Sequence, residues 1–277
     1  MTGISFTDDN LEKRLDEFPA LCSKISEKIG PLLKRGFSSG AIAQRKDAAS
    51  PIVTELDLKC EKVLREILIQ DYPEDEILGE ELPAREGTNS YSWVIDPIDG
   101  TIGFQTGKPM FATLLALVYQ EKPVAGWIYQ PVLEHSWIGR QGKELISSVE
   151  SKSFPRDISL KDSVISSTTP AMFSTPLYES FFHRLCEEVW ITSFGGDAYQ
   201  YGLLAQGRID LVVENQMAWH DFAALVPVIE SAGGQITDFE GNPLRKESPG
   251  EVLASLNPNL HEEAIQIFHS SKEMKTR

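Results

Sequence analysis

The sequence predicts an α/β fold. From residue 163 onward, short runs of β-forming residues alternate with stretches of helical periodicity, an order typical of α/β architecture. Between residues 111 and 139, three β-rich runs are separated by turn signals, which indicates an antiparallel meander. We expect one compact unit with two sub-regions, 1–150 and 151–277, which meet in the polar stretch 147–158.

The N-terminal helix is predicted over 9–34, where apolar residues recur at helical spacing. Pro19 is expected to kink or split it, because proline lacks the amide hydrogen that a helix interior needs. Gly30 and Pro31 are expected to interrupt it again, and residues 37–40 to form a loop.

The remaining elements follow from the same signals. A second helix is predicted over 54–70, with Thr54 as its N-cap and Asp57 in its first turn. Strands are predicted at 77–78, 93–95, 111–119, 123–130, 134–139, 163–167, 189–193, 209–214, 235–238 and 252–255. Helices are predicted over 176–188, 198–206 and 219–231, with a last helix that begins at Asn257 and Pro258.

The composition argues against several classes of function. The chain has 41 acidic and 26 basic residues, and its net charge of −15 argues against a nucleic acid or an anionic membrane as partner. Its three cysteines form no C-x-x-C pair, so no thiolate zinc site is indicated. A secretory leader and an apolar run of about 20 residues are both missing, so a reducing, cytoplasmic setting is expected.

The most informative stretch is 93–104. A short apolar strand ends at two carboxylates, Asp96 and Asp99, and Pro97 biases Asp96 away from helical conformation. A helix that starts near Gly100 would offer its first N–H groups to an anion. Carboxylates repel such an anion unless a cation lies between them, and carboxylate oxygens suit Mg²⁺. A solvated Asp-Pro turn is the alternative interpretation.

The run from Asp96 to Thr101, followed by Phe104, resembles the metal signature of the inositol monophosphatase superfamily of Mg²⁺-dependent phosphomonoesterases. The resemblance implies a layered αβαβα sandwich, a homodimer and an active-site loop that carries Lys46. It also implies two to three Mg²⁺ ions per site. Their ligands would be the carbonyl of Ile98 and the carboxylates of Asp57, Glu80, Asp96, Asp99 and Asp221.

Two of these acids have a structural alternative. Asp57 and Asp221 each lie in the first turn of a predicted helix, where an acid stabilises the helix dipole. By the resemblance, Asp57 belongs to a loosely held third metal site and Asp221 closes the second. His220 adjoins Asp221, so we expect it to contact the ligand and not the ion.

The resemblance further implies direct hydrolysis of a small phosphate ester, without a Ser or Cys nucleophile. Bound cations would make the attacking water more acidic. Thr101 and Glu80 would position the water and accept its proton, with Asp57 as a third catalytic residue. The phosphate would bind to backbone N–H groups near Gly100 and Thr101. A metal- and phosphate-binding module without turnover is the alternative from another class.

Within the superfamily the sequence is most similar to the histidinol-phosphatase type, in the stretches 107–111, 130–132, 195–201, 211–214 and 221–227. This implies histidinol phosphate as the substrate and a role in histidine biosynthesis. Asp197 could then pair with the ammonium group of histidinol, and an N-cap is its structural alternative. Glu214 matches an acid that contacts a substrate hydroxyl.

Two places depart from the histidinol-phosphatase pattern. Ile102 and Gly103 stand where that group usually has lysine followed by a small residue, and His220 stands where tyrosine is common. Because these residues border the expected pocket, inositol 1-phosphate or another sugar phosphate is the alternative substrate.

Overall fold

A computed structural model describes residues 9–40, 44–45, 52–53, 55–150 and 158–275. Two β-sheets alternate with three helical layers. Helices α1 and α2 cover the outer face of the larger sheet, α5 to α7 lie between the sheets, and α4 and α8 cover the outer face of the smaller sheet. Each boundary between layers is an apolar core, so the expected αβαβα sandwich is confirmed.

The helices are α1 (Asp9–Ser39), α2 (Glu55–Asp71), α3 (Thr101–Gln105), α4 (Pro176–Glu188), α5 (Tyr199–Ala205), α6 (Trp219–Phe222), α7 (Leu225–Ser231) and α8 (Pro258–Lys275). Short 3₁₀ turns lie at Leu160–Asp162 and Pro170–Met172. Within the described ranges, no helix combines the length and the apolar character that a membrane span requires.

The strands are β1 (Gln44–Arg45), β2 (Ile52–Val53), β3 (Glu76–Gly79), β4 (Tyr91–Asp99), β5 (Ala112–Tyr119), β6 (Lys122–Gln130), β7 (His135–Arg140), β8 (Ile146–Ser147), β9 (Val164–Ser167), β10 (Ile191–Phe194), β11 (Leu211–Glu214), β12 (Gln235–Thr237) and β13 (Val252–Ser255). The larger sheet has the order β3-β4-β5-β6-β7-β8 and includes the predicted antiparallel meander. The smaller sheet has the order β10-β9-β11-β13-β12, and β1 pairs with β2.

Helix α1 is longer than predicted. It runs without a break from Asp9 to Ser39, with Pro19 and Pro31 inside it, so the predicted split at Pro19 and the interruption at Gly30 and Pro31 are wrong. The predicted loop at 37–40 is wrong as well, apart from the turn at Gly40. Its apolar residues pack in one core with α2 and the larger sheet, among them Phe18, one residue before the first proline. Burial of this apolar face outweighs the hydrogen bonds that the prolines cannot make.

The helix predicted over 219–231 is two helices, α6 and α7, separated by Ala223 and Ala224. Pro227 has no amide hydrogen for the carbonyl oxygen of Ala223, four residues earlier, so a continuous helix would lack that bond. The break lets α6 lie against β4 while α7 packs on β6 and β7.

Two glycines let α7 approach the larger sheet closely. Gly126 on β6 is paired with Gly139 on β7. A Cβ atom at Gly126 would lie 2.0 Å from the carbonyl oxygen of Ala224, and one at Gly139 would lie 2.0 Å from that of Pro227. These are backbone contacts, so any side chain at either glycine would displace the helix.

His261 in α8 is only 3 % exposed, and its Nε2 lies 2.8 Å from Oγ1 of Thr237. The Thr237 hydroxyl donates to the carbonyl oxygen of Asp238, so it accepts from Nε2–H. Burial lowers the pKa of His261 from 6.5 to about 4, and the charge of Glu262 opposes this only in part. The histidine is therefore neutral in the folded protein at neutral pH.

This lowered pKa makes stability depend on pH. Between pH 4 and 6.5 the unfolded chain binds a proton at this position that the folded chain does not, so stability falls as pH is lowered. From pH 7 to pH 5 we expect His261 to account for a loss of about 2 kcal/mol in the free energy of unfolding. His261→Gln keeps a donor for Thr237 but does not titrate. Urea unfolding at both pH values should show a correspondingly smaller loss in this variant; equal losses would contradict the assignment.

Candidate active site

Strand β4 carries Asp96 and Asp99, and between these two acids it has one residue more than the facing segment of β5. Asp96 is paired with Leu114 and Asp99 with Ala112, so three steps along β4 lie opposite two steps along β5. In a regular strand, residues three apart point to opposite faces of the sheet. The extra residue forms a bulge that returns Asp99 to the side of Asp96.

The chain turns sharply after this bulge. The N–H of Ile98 donates to Oδ1 of Asp96 (3.0 Å), and the Thr101 hydroxyl donates to the carbonyl oxygen of Ile98 (3.1 Å). Gly100, with φ of 83°, adopts the left-handed conformation that glycine tolerates, and α3 begins at the next residue. The Asp96 carboxylate, the Ile98 carbonyl and the Thr101 hydroxyl are thus linked by hydrogen bonds.

Asp221 reaches the same place from the middle helical layer. It lies in α6, where its Oδ2 accepts the N–H of Ala218 (2.7 Å), and Nε2 of His220 lies 3.3 Å from its Oδ1. One carboxylate oxygen from each of Asp96, Asp99 and Asp221 lies within 4.8 Å of the other two. Two neighbouring acids of β4 and one acid from a distant part of the chain therefore meet in one cluster.

Two further predicted ligands act on this cluster electrostatically. Asp96 is 1 % exposed, and its burial is the largest cause that raises its pKa well above the ordinary value. The pKa is raised further by the negative charges of Glu80, Asp99, Asp221 and Asp57. Asp57 is buried in the first turn of α2, and Glu80 follows β3 with its N–H bonded to the carbonyl oxygen of Ile95. All five predicted acids thus contribute to one strongly negative region.

This donor set fits a hard divalent cation. Three carboxylate oxygens converge, and without a positive charge their mutual repulsion and burial oppose ionisation. Carboxylate and carbonyl oxygens are the ligands that Mg²⁺ prefers. Lys46, the predicted active-site-loop residue, and Thr54, the predicted N-cap, lie outside the described residues.

Asp197 lies beside the cluster in an unusual backbone conformation. Its φ is 42°, in the left-handed region, and its N–H donates to Oγ1 of Thr168 (3.1 Å). The N–H of the next residue, Ala198, donates to Oδ2 of Asp99. A Cβ atom at Gly100 would lie 2.9 Å from Cγ of Asp197, so the carboxylate packs against that glycine. Burial raises the pKa of Asp197 to about 6, although Lys108 opposes the shift.

Glu214 ends β11 and is only 2 % exposed. Its Oε1 accepts the N–H of Thr168 (3.1 Å) and its Oε2 accepts the hydroxyl of Tyr201 (3.0 Å). Burial raises its pKa to about 7, while these hydrogen bonds oppose the shift. This predicted substrate contact is therefore held mainly by the protein itself.

Thr168, Tyr201 and the Ala198 N–H were not predicted from the sequence. None of them belongs to a charge pattern, and all three act through a hydroxyl or a backbone group. The one available signal was position, because Thr168 directly follows β9, and the carboxyl ends of parallel strands are common places for binding residues.

The chain is similar to known phosphatases over most of its length. The model of the "Inositol monophosphatase family" matches residues 15–273. The bifunctional phosphatase IMPL2, chloroplastic, of Arabidopsis thaliana is 37% identical over 92% of this chain and 76% of its own length. A histidinol-phosphatase of Mycobacterium tuberculosis is 31% identical, over 82% and 88% respectively. The structure of an inositol monophosphatase from Zymomonas mobilis superposes with a TM-score of 0.79 and 34% identity, over 96% of this chain and 100% of the other.

Proposed function

The chain belongs to the inositol monophosphatase family and is a phosphoric monoester hydrolase, and we propose that it hydrolyses histidinol phosphate with Mg²⁺. The family is generally metal-dependent and acts on small phosphorylated substrates, and this chain has the acidic cluster to match. The proposed reaction yields histidinol and phosphate, a step of histidine biosynthesis. The observation that carries the choice of substrate is the half-buried carboxylate of Asp197 beside Asp99.

Residues in the cluster have distinct proposed roles. Asp96, Asp99 and Asp221 would hold Mg²⁺ together with Glu80 and the Ile98 carbonyl, and Asp57 would hold a further ion. When bound, Mg²⁺ neutralises phosphate charge and lowers the pKa of the attacking water. The converging carboxylates, in a chain of net charge −15, would otherwise repel an anionic substrate.

The chain's own groups handle the proton and orient the ester. The Thr101 hydroxyl donates a hydrogen bond to the Ile98 carbonyl oxygen. Oγ1 of Thr101 can therefore accept a hydrogen bond from the attacking water. The Glu80 carboxylate would take the proton of that water as general base. Backbone N–H groups of Gly100 and Thr101, at the turn into α3, would bind the phosphate.

The substrate choice can be tested directly. We expect phosphate release from histidinol phosphate with Mg²⁺, none with EDTA, and a lower kcat/KM with inositol 1-phosphate. Asp197→Asn keeps the shape of the side chain but removes the charge that would pair with the ammonium. It should lower kcat/KM for histidinol phosphate by about 10- to 100-fold, the value of a charged hydrogen bond, and change turnover of inositol 1-phosphate little.

The control is Asp162→Asn, the same change at an exposed carboxylate whose Oδ2 accepts the hydroxyl of Ser159 (2.7 Å). An equal loss with both substrates in Asp197→Asn would defeat the ammonium assignment. Inositol 1-phosphate or another sugar phosphate remains the second candidate, favoured by Ile102, which is 69 % exposed next to Thr101 and cannot donate a hydrogen bond as lysine would.

The proposed homodimer has a candidate surface on β10. Trp190, Ile191 and Phe194 are exposed, and β10 pairs only with β9 among the described strands. Residues 189–196 contain no charged residue, so this strip avoids the repulsion expected between two copies of an acidic chain. Light scattering should give the mass of a dimer, and Trp190→Ser with Phe194→Ser should lower it.

A further inference from the structure

A chain of hydrogen bonds lies behind the turn that carries Asp197. Tyr201 in α5 is fully buried, and its hydroxyl donates to Oε2 of Glu214 (3.0 Å). The other side of this carboxylate bonds to Thr168, through the backbone N–H (3.1 Å) and through the side-chain hydroxyl. Oγ1 of Thr168 in turn accepts the N–H of Asp197 (3.1 Å). Tyr201 is thus connected to the Asp197 backbone through two intervening residues.

The Asp197 turn depends on such support. A left-handed φ of 42° is uncommon outside glycine, although aspartate adopts it more readily than most residues, and the surrounding hydrogen bonds stabilise it here. Two hydrogen bonds from consecutive residues hold the turn. The N–H of Asp197 donates to Oγ1 of Thr168, and the N–H of Ala198 donates to Oδ2 of Asp99. The backbone that precedes the turn is held as well, since the N–H of Gly195 donates to the carbonyl oxygens of Ser167 and Thr168 and the adjacent Gly196 packs against Gln200.

The hydroxyl of Tyr201 lies 3.0 Å from Oε2 of Glu214 and 3.7 Å from Sδ of Met217, and the carboxylate is the stronger acceptor. The ring of Tyr201 would fill the same core volume as phenylalanine, among the apolar residues between the two sheets. Without the hydroxyl, Oε2 of the buried Glu214 would lose its donor. A buried carboxylate oxygen without a partner is costly, so Glu214 would reorient or take up a proton. Either change would alter the hydrogen bonds that Glu214 makes to Thr168.

We propose that Tyr201 is a positioning residue that, through Glu214 and Thr168, fixes the direction of the Asp197 carboxylate. It touches no substrate, because it is fully buried. Since Asp197 is the proposed partner of the ammonium group, Tyr201 sets the preference for a positively charged phosphate ester over a neutral one. The selectivity part of this inference rests on the proposed function; the positioning part rests on the hydrogen bonds alone.

The test compares two tyrosines of the same helix. Tyr201→Phe removes the hydroxyl on Glu214. The matched control Tyr199→Phe removes a hydroxyl that bonds instead to Nδ1 of His135 (2.8 Å). With Mg²⁺, Tyr201→Phe should raise KM for histidinol phosphate about 10-fold and change kcat less than about 3-fold, as for lost ground-state binding. The KM for inositol 1-phosphate should rise less than the KM for histidinol phosphate, and Tyr199→Phe should leave both substrates unaffected.

A second measurement needs no substrate. Hydrogen exchange of the Asp197 and Ala198 amides should be about 10-fold faster in Tyr201→Phe, and unchanged in Tyr199→Phe. Unchanged exchange in Tyr201→Phe would overturn the positioning role, whichever substrate the enzyme prefers. Faster exchange in an enzyme without preference for histidinol phosphate would uphold positioning and reject the proposed substrate. An equal fall in kcat for both substrates would show a general structural effect and overturn the selectivity inference.

Discussion

Asp99→Asn is expected to lower kcat by about 10²- to 10³-fold while the protein stays folded. The amide oxygen of asparagine can still accept the N–H of Ala198, so the local turn is retained. What is lost is one of the three charges that converge within 4.8 Å and would bind the cation. The same loss of charge should make the cation-free protein no less stable.

That expectation follows from the sign of the pKa shift. Burial, followed by the charges of Asp197 and Asp221, raises the pKa of Asp99 well above 3.8 in the folded protein. A group with a raised pKa stabilises the fold at low pH, and this contribution is lost as pH rises through the folded pKa. Asparagine does not ionise, so at pH 8 in EDTA the variant should unfold at the same or a higher temperature than the wild type.

Steady-state kinetics over a Mg²⁺ titration and thermal unfolding with EDTA or Mg²⁺ measure both effects. Mg²⁺ should raise the Tm of the wild type and of Asp162→Asn, but raise that of Asp99→Asn less, because a ligand that binds only the folded state stabilises it. Glu80→Gln should also lose kcat. Near-normal turnover in Asp99→Asn would remove this residue from the metal site.

The largest effect on stability is expected for Gly139→Ala. The new Cβ would lie 2.0 Å from the carbonyl oxygen of Pro227 and 2.2 Å from its carbonyl carbon, and neither atom can move without α7. We expect a loss of about 3 kcal/mol or more in the free energy of unfolding, the upper end of overpacking in cores. Because α7 follows α6 after two residues, its displacement should also move Asp221.

Urea unfolding gives the loss of stability, and the Mg²⁺-induced rise in Tm reports on the cluster. Gly142→Ala is the control, since Gly142 has φ of 70° and open space, so its replacement tests backbone conformation without a clash. That change should cost about 1 kcal/mol and preserve the response to Mg²⁺. Similar losses in both variants would show that α7 can shift easily.

Local signals were sufficient for most of the strands. The meander was predicted because prolines and charged turn residues separate its β-rich runs, and the structure places β5, β6 and β7 there. The same reasoning did not predict that α1 continues through Pro19 and Pro31. A local rule counts the hydrogen bond that proline cannot make, but it does not include the burial of the apolar face of α1 in the folded protein.

The candidate site shows the same division. Asp96 and Asp99 are close in sequence, so their pairing could be predicted from the residues themselves. Asp221 was joined to them only through resemblance, because convergence over more than 120 residues depends on how α6 packs against β4. Thr168 and Tyr201 could not be predicted as site residues, since a hydroxyl that bonds to a buried carboxylate leaves no pattern in a sequence.

The bulge in β4 makes the site depend on strand pairing as well as on side-chain chemistry. Regular pairing of the residues from Asp96 to Asp99 with β5, without the bulge, would keep every acid of the sequence. Asp99 would then project from the opposite face of the sheet, toward the apolar layer that contains Ile95 and Phe104. The geometry of the cluster therefore requires the extra residue in β4 in addition to its acids, which a count of the acids in the sequence would not reveal.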